Sequence, residues 1–361
     1  MKDGLHASPG VLGLVLLGGA AGATLATVLA GLVITWLGQQ VTVAAMALLA
    51  AAGLALIAVG YRLGIAPVAA GLSMFGFGSG TWDVAMNVEG AAAEHRLGRA
   101  IMPRFHAGWS IGTVAGAGTG AAMVALGVPV TVHLLAVAVV LAVTMPAASR
   151  GFLPASRAGA RRGQDGAARS PLAAWTEPRT LLIGLFVLCL AFTEGTGNDW
   201  LSLAVIDGYH VAPALGTATF AVFLAAMTAG RWFGPRLIDA RGRVPVLRGS
   251  AGVALAGLLL IVLGPALPVA VAGAVLLGLG TSLGFPVGLS AAADDPAHAA
   301  GRVSTAASIG YTAFLAGPPV IGFLGDQVGV LRAISVSGVL LAAALVLCRA
   351  TAPLPARQPA P

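Results

Sequence analysis

Charge is what this chain has least of. Only 9% of its 361 residues are Asp, Glu, Lys or Arg, too few to cover the surface of a soluble protein of this length. Hydrophobic residues make up 58%, so the bilayer has to be the solvent. Cysteine is almost absent. Cys189 and Cys348 both sit inside apolar runs, which excludes a disulfide framework. No Gly-x4-Gly-Lys-Ser/Thr loop is present to cradle phosphates, so any work done has to draw on an ion gradient rather than ATP. No His/Cys group has metal-ligand spacing, and nothing resembles a nucleophile elbow or triad. No enzyme activity or cofactor is implied. The polar/apolar alternation of a membrane barrel is missing as well.

What is there is a succession of apolar runs, each near the ~20 residues that span a bilayer. Eleven are read, at 9–36, 41–60, 65–88, 103–126, 129–148, 180–206, 213–235, 246–264, 267–292, 303–324 and 329–349. The 51 glycines, with alanine in long runs, permit close helix–helix approach. The expected class is an all-α membrane protein with eleven transmembrane helices.

The net charge of +7 would suit nucleic acid, but its distribution argues for lipid. Of 20 Lys and Arg, 17 fall in 96–104, 150–179, 231–248, 302 and 349–357, and only Lys2, Arg62 and Arg332 fall elsewhere. Those segments are alternate loops and the tail, so they share one face if every run crosses. The positive-inside rule makes that face cytoplasmic, placing the central linker and the C-terminus there and the N-terminus outside. Segment 9–36 is too long for a signal peptide and lacks the basic start of one.

Residues 235–243 read Pro-Arg-Leu-Ile-Asp-Ala-Arg-Gly-Arg. A worn copy, Gly31-Leu-Val-Ile-Thr-Trp-Leu-Gly-Gln-Gln40, also follows an apolar run. Gly242 falls on Gly38 at an offset of 204, and Gly301-Arg302 on Gly98-Arg99 at 203, so the chain reads as two related halves. The expected organisation is a five-span bundle at 1–148, an Arg-rich cytoplasmic linker at 149–178, a six-span bundle at 179–349 and a Pro/Ala-rich disordered tail at 350–361. Shifting 180–206 back by 204 puts its partner almost wholly before residue 1. The repeat thus predicts six plus six with the first helix lacking. That helix would also return the N-terminus to the cytoplasm.

Paired six-helix halves, a basic linker and the signature Gly230-Arg231…Leu237-Ile-Asp239-Ala-Arg241-Gly242-Arg243 resemble the major facilitator superfamily of secondary transporters. Gly310-Tyr-Thr-Ala-Phe-Leu-Ala-Gly-Pro-Pro319, followed by Gly322-Phe-Leu-Gly-Asp326, resembles the eleventh helix of such proteins. Trp82-Asp-Val-Ala-Met-Asn87, Gly98-Arg99 and Phe105-His-Ala-Gly-Trp-Ser110 look closest to a poorly characterised bacterial inner-membrane branch, distantly similar to fucose–proton symporters. The resemblance implies a two-bundle fold that carries a small-molecule solute, with protons, by alternating access. A monomer in the lipid bilayer is expected, and the position of the charge argues against a nucleic-acid partner. The resemblance also implies a gating lock from Arg99, Arg231, Asp239, Arg241 and Arg243. Thr35, Gln39 and Gln40 replace the acid and bases in the first-half copy.

Ionisable residues inside spans are costly and mark function. Asp83 shares a helix face with Asn87 and reads as a proton-coupling or substrate residue, or else as a latch to Arg99, Arg104 or His106. Glu194, with Asn198 one turn on, reads as a cavity stripe, or as a solvated vestibule with Asp199 and an interfacial Trp200. His106 and Trp109 start the helix after the Arg99 loop, where His106 could relay a proton or anchor the loop. His133 reads as structural. Tyr311 and Thr312 line the cavity or bond between helices. Efflux of a hydrophobic or cationic compound, and a non-transporting scaffold or solute sensor, stay open as alternatives.

Overall fold

A computed structural model of the protein describes residues 9–152 and 171–354. Arg157, Arg161, Arg162 and Arg169 of the expected linker, and the Pro/Ala-rich residues after Leu354, lie outside the described residues. Every regular element described is helical. These are α1 (Pro9–Gly60), α2 (Ile65–Leu97), α3 (Met102–Ala125), α4 (Val130–Ser149), α5 (Pro178–Tyr209), α6 (Pro213–Arg241), α7 (Arg243–Leu263), α8 (Leu267–Thr281), α9 (Gly284–Ala292), α10 (Ala299–Val328), α11 (Val330–Ala333) and α12 (Val336–Leu347). Short 3-10 turns occupy Pro171–Thr176 and Cys348–Thr351.

Eight helical stretches among the described residues are long and apolar enough to cross a membrane, fewer than the eleven runs read from sequence. The two expected runs 9–36 and 41–60 are both helical and abut within α1, separated by the non-helical backbone of Gly38. The runs in α2 and α3 are not among the eight. Gly76, Gly78, Ser79 and Gly80 dilute the first, and Gly108, Gly112, Gly116 and Gly120 the second. The run 267–292 is divided at Ser282–Leu283 into α8 and α9. Pro286 has no N–H to give the Ser282 carbonyl, so the helical ladder lapses there.

Contacts divide the chain into two compact units. The first takes residues 1–93, 111–174 and 296–305; the second takes 94–110, 175–295 and 306–361. In the first, Ile57 and Val68 are buried with Leu54, Ala69, Leu72 and Leu134 around them, joining α1, α2 and α4. In the second, α5 is buried along most of its length, from Thr180 to Val205.

The sequence repeat reappears as backbone geometry. A Cβ on Gly53 would strike the Gly71 carbonyl at 2.6 Å, and one on Gly257 would strike the Gly273 carbonyl at 2.6 Å. A Cβ on Gly76 would meet Gly19 and Ala23, and one on Gly278 would meet Phe223 and Met227, each pair of partners 204 residues apart. Gly38 (φ 75°, ψ 162°) and Gly242 (φ 82°, ψ 161°) share one backbone conformation that only glycine adopts readily.

Candidate functional site

α5 can bury a carboxylate because small residues surround it. Thr193, Gly195, Thr196 and Gly197 flank Glu194, and the glycines let Phe314 and Phe223 close in. Glu194 is 8% exposed and Arg231, on α6, is 4% exposed. Arg231 Nη2 donates to Glu194 Oε1 at 2.6 Å, and Nη1 donates to Ser110 Oγ at 2.9 Å. The Ser110 hydroxyl donates in turn to the His106 carbonyl at 3.2 Å. Arg231 Nε donates to the Ser282 carbonyl at 3.3 Å, the acceptor that Pro286 leaves without a helical partner. Gly230 makes the approach feasible, since a Cβ there would sit 2.4 Å from Ser282 Oγ. The arrangement is a desolvated, net-neutral ion pair whose arginine has a donor committed to each of α3, α5 and the end of α8. Removing either partner would leave a bare buried charge.

A second cluster surrounds the bend at Gly98, where φ is +62°. Glu94 Oε2 accepts the Ile101 and Met102 N–H groups at 2.7 and 2.8 Å. A carboxylate there caps the amides that begin α3, which have no partner within the helix, and meets the positive end of its dipole. Glu94 Oε1 accepts the Ser290 hydroxyl. Asp239 Oδ1 accepts the Ala100 N–H at 2.7 Å, beside the exposed Arg99. Within the signature, then, the acid holds backbone rather than the neighbouring bases. Arg243 turns instead to Asp294, at 2.9 and 3.1 Å, and to the Thr351 carbonyl at 3.1 Å. Arg179 joins the same Asp294 at 2.6 Å and reaches the Ala291 and Ala352 carbonyls at 3.3 and 2.9 Å. Arg241 is exposed.

Asn87 Nδ2 donates to the Asp83 carbonyl at 2.9 Å, so the two are tied along one stripe of α2, with Asp83 half-buried and Asn87 buried. The His106 ring meets Phe285 edge-on at 5.7 Å, and Tyr311 continues the row between Phe285 and Phe314, at 5.4 and 6.1 Å. Trp109 is 63% exposed. Asn198 is half-buried one turn beyond Glu194, and Asp199 is exposed. In the worn copy, Thr35 Oγ1 donates back to the Gly31 carbonyl of its own helix at 2.7 Å. Sequence reading passed over Glu94, Arg179, Ser282, Ser290 and Asp294. One signal was available for two of them: an acid shortly precedes both members of the repeated Gly98-Arg99 and Gly301-Arg302 pair, Glu94 before the first and Asp294 before the second.

The family model described as the Major Facilitator Superfamily matches residues 1–313. An uncharacterized transporter of Sinorhizobium fredii, y4wD, is 33% identical over 291 residues, covering 79% of this chain and 75% of its own length. An uncharacterized MFS-type transporter of Yersinia pestis is 31% identical over 264 residues, 72% of this chain; the match spans only 66% of that protein. The E. coli fucose:proton symporter FucP superposes with a TM-score of 0.78 at 15% identity, covering 95% of this chain and 91% of its own. That last likeness is one of fold. With the apolar helices and the relatives together, the chain belongs to the Major Facilitator Superfamily as a multi-pass membrane protein of the transporter kind, not an enzyme.

Proposed function

We propose that the protein carries a small solute across the bacterial inner membrane by alternating access, coupled to protons. The observation that carries this reading is the buried Glu194–Arg231 ion pair at 2.6 Å. A membrane helix bundle gains little stability from a desolvated pair that apolar side chains could replace, so a role in coupling explains its presence. Taking a proton on Glu194 discharges the pair and changes the relative energy of the inward- and outward-facing states. Asp83, tied to Asn87, is the second candidate acid. His106 and Trp109 on α3 and Asn198 on α5 complete the proposed solute and proton contacts. FucP, similar in fold, is by its name a proton symporter.

The proposed arrangement is eleven crossings, counting α1 as two across Gly38, α8 with α9 as one, and α11 with α12 as one. The bundles are 1–148 and 179–349, with the linker and C-terminus on the cytoplasmic side. The gating cluster holds the Gly98 bend through Asp239, and α5 and α7 through Arg179, Arg243 and Asp294. Arg99 and Arg241, both exposed, complete it at the membrane surface.

The test is uptake into liposomes holding the purified protein, driven by a pH gradient, over a panel of labelled neutral sugars, monocarboxylates and lipophilic cations. Wild type accumulates a solute only with the gradient; Asp83→Asn or Glu194→Gln abolishes the accumulation while exchange across the membrane persists. Gradient-driven accumulation retained by both variants would sink the coupling assignment.

A further inference from the structure

The geometry points to a small organic monoanion, a carboxylate, as the solute that Arg231 receives, carried with one proton that Glu194 takes. This deepens the transporter reading above and rests on it.

The three contacts of Arg231 are not equivalent. Nε is fixed on the Ser282 carbonyl, an acceptor held in place by the helix break at Pro286. Nη1 and Nη2, the forked end of the guanidinium, are held by side chains that can exchange, Ser110 and Glu194. Two adjacent Nη donors on an anchored arginine match the two oxygens of a carboxylate. Glu194 occupies one of these positions as an internal stand-in for such a ligand.

Charge decides which solute can replace it. With the Arg231 guanidinium charged and Glu194 ionised the buried pair is neutral. When Glu194 takes a proton from the medium, its hold on Nη2 weakens and the buried guanidinium is left with a net positive charge. A neutral sugar leaves that charge uncompensated. A monoanion restores neutrality, so the loaded site (Arg231 cation, protonated Glu194, solute anion) has the same net charge as the empty one. On the other side the anion leaves, Glu194 gives up its proton, and the internal pair reforms. One proton and one monoanion have crossed with no net charge.

The surroundings are consistent with that account. Of the elements packed against α5, α8, α9 and α12 carry no ionisable side chain. Arg332 on α11 lies at the C-terminal end of α5, where Leu331 meets Gly208, and Arg349 lies in the turn that Arg179 holds at its N-terminal end. On α6, Arg236, Asp239 and Arg241 are exposed beyond Arg231. α10 presents Tyr311, with Asp326 at its far end, and α3 presents His106 one turn before Ser110. Asp199 on α5 itself is exposed.

The experiment uses the full chain in liposomes, with lactate, benzoate and glucuronate as anionic probes and fucose and xylose as neutral ones. The pH gradient is imposed first, then a potassium–valinomycin potential of about 100 mV alone, which changes the accumulation of one uncompensated charge roughly 50-fold. The inference expects an anionic probe to accumulate with the pH gradient and to ignore the potential. Glu194→Gln, unable to carry the proton, should still exchange the anion but respond to the potential. Arg231→Lys should keep weak transport, and Arg231→Gln/Glu194→Gln, which leaves no buried charge and is checked for monodisperse elution, should keep none. Transport of a neutral probe and of no anion overturns the inference while leaving the transporter reading in place. An anion whose wild-type uptake follows the potential also overturns it. Movement of neither class overturns both.

Discussion

At the scale of single residues, the buried Arg231–Glu194 pair can be separated experimentally into what it does for stability and what is proposed for it in transport. Arg231→Leu alone strands a carboxylate that is 8% exposed, which typically costs about 3–5 kcal/mol. Arg231→Leu with Glu194→Leu removes both charges and should recover most of that loss. Thermal unfolding of the detergent-solubilised proteins measures both. A double variant no more stable than the single would mean that the pair holds the fold and not the transport cycle. Both residues are marked in the sequence, Glu194 because an ionised side chain inside an apolar run stands out and Arg231 because it opens the signature that resembles the superfamily's gating motif. Sequence reading assigned them to separate tasks, coupling and gating, because nothing in the spacing of residues 37 apart says which faces of α5 and α6 meet. Ser282 carried no such signal. Its role depends on Pro286 four positions later, a backbone effect that residue type alone does not announce.

At the scale of elements, the helices and their repeat were largely legible, since apolar length and a 204-residue offset are properties of the chain itself. The breaks were less so. The two expected runs at 9–36 and 41–60 follow each other with only Gly38 out of helical conformation between them, where a longer connection would have opened a loop. Its counterpart Gly242 separates α6 from α7 with nearly the same dihedrals. An L side chain in that region costs on the order of 1–3 kcal/mol. Gly38→Ala and Gly242→Ala are therefore each expected to destabilise by that amount, although neither Cβ would meet a neighbour within 4 Å. Chemical unfolding of the two variants checks this, and two unaffected proteins would show that the bends relax freely. Gly257→Leu and Gly273→Leu should do more damage, because there the obstacle is the facing backbone, 2.6 Å from the added carbon.

Over the whole molecule, Asp294 gathers parts of the chain that are far apart in sequence. It receives Arg179 from 115 residues away and Arg243 from 51, and the same arginines reach the carbonyls of Thr351 and Ala352. The acid before Gly301-Arg302 is visible in the sequence but its partners are not, because an acid in a short loop between helices looks like a solvated one. Asp294→Asn should lower stability by about 1–3 kcal/mol, the worth of charged hydrogen bonds at a partly exposed site. The difference from wild type should shrink as salt rises toward 1 M, where screening acts within about 3 Å. Melting temperatures across a salt series read this directly, and a salt-independent difference would argue against an ionic origin. The twin bends carry a different consequence. Gly38 and Gly242 hold the chain alike, yet only the second stands among acid and arginine, while Thr35 and Gln39 surround the first. For protein engineering this is an empty socket. The backbone for a second latch is already in place, so Thr35→Asp and Gln39→Arg would install charge on a scaffold that needs no rebuilding.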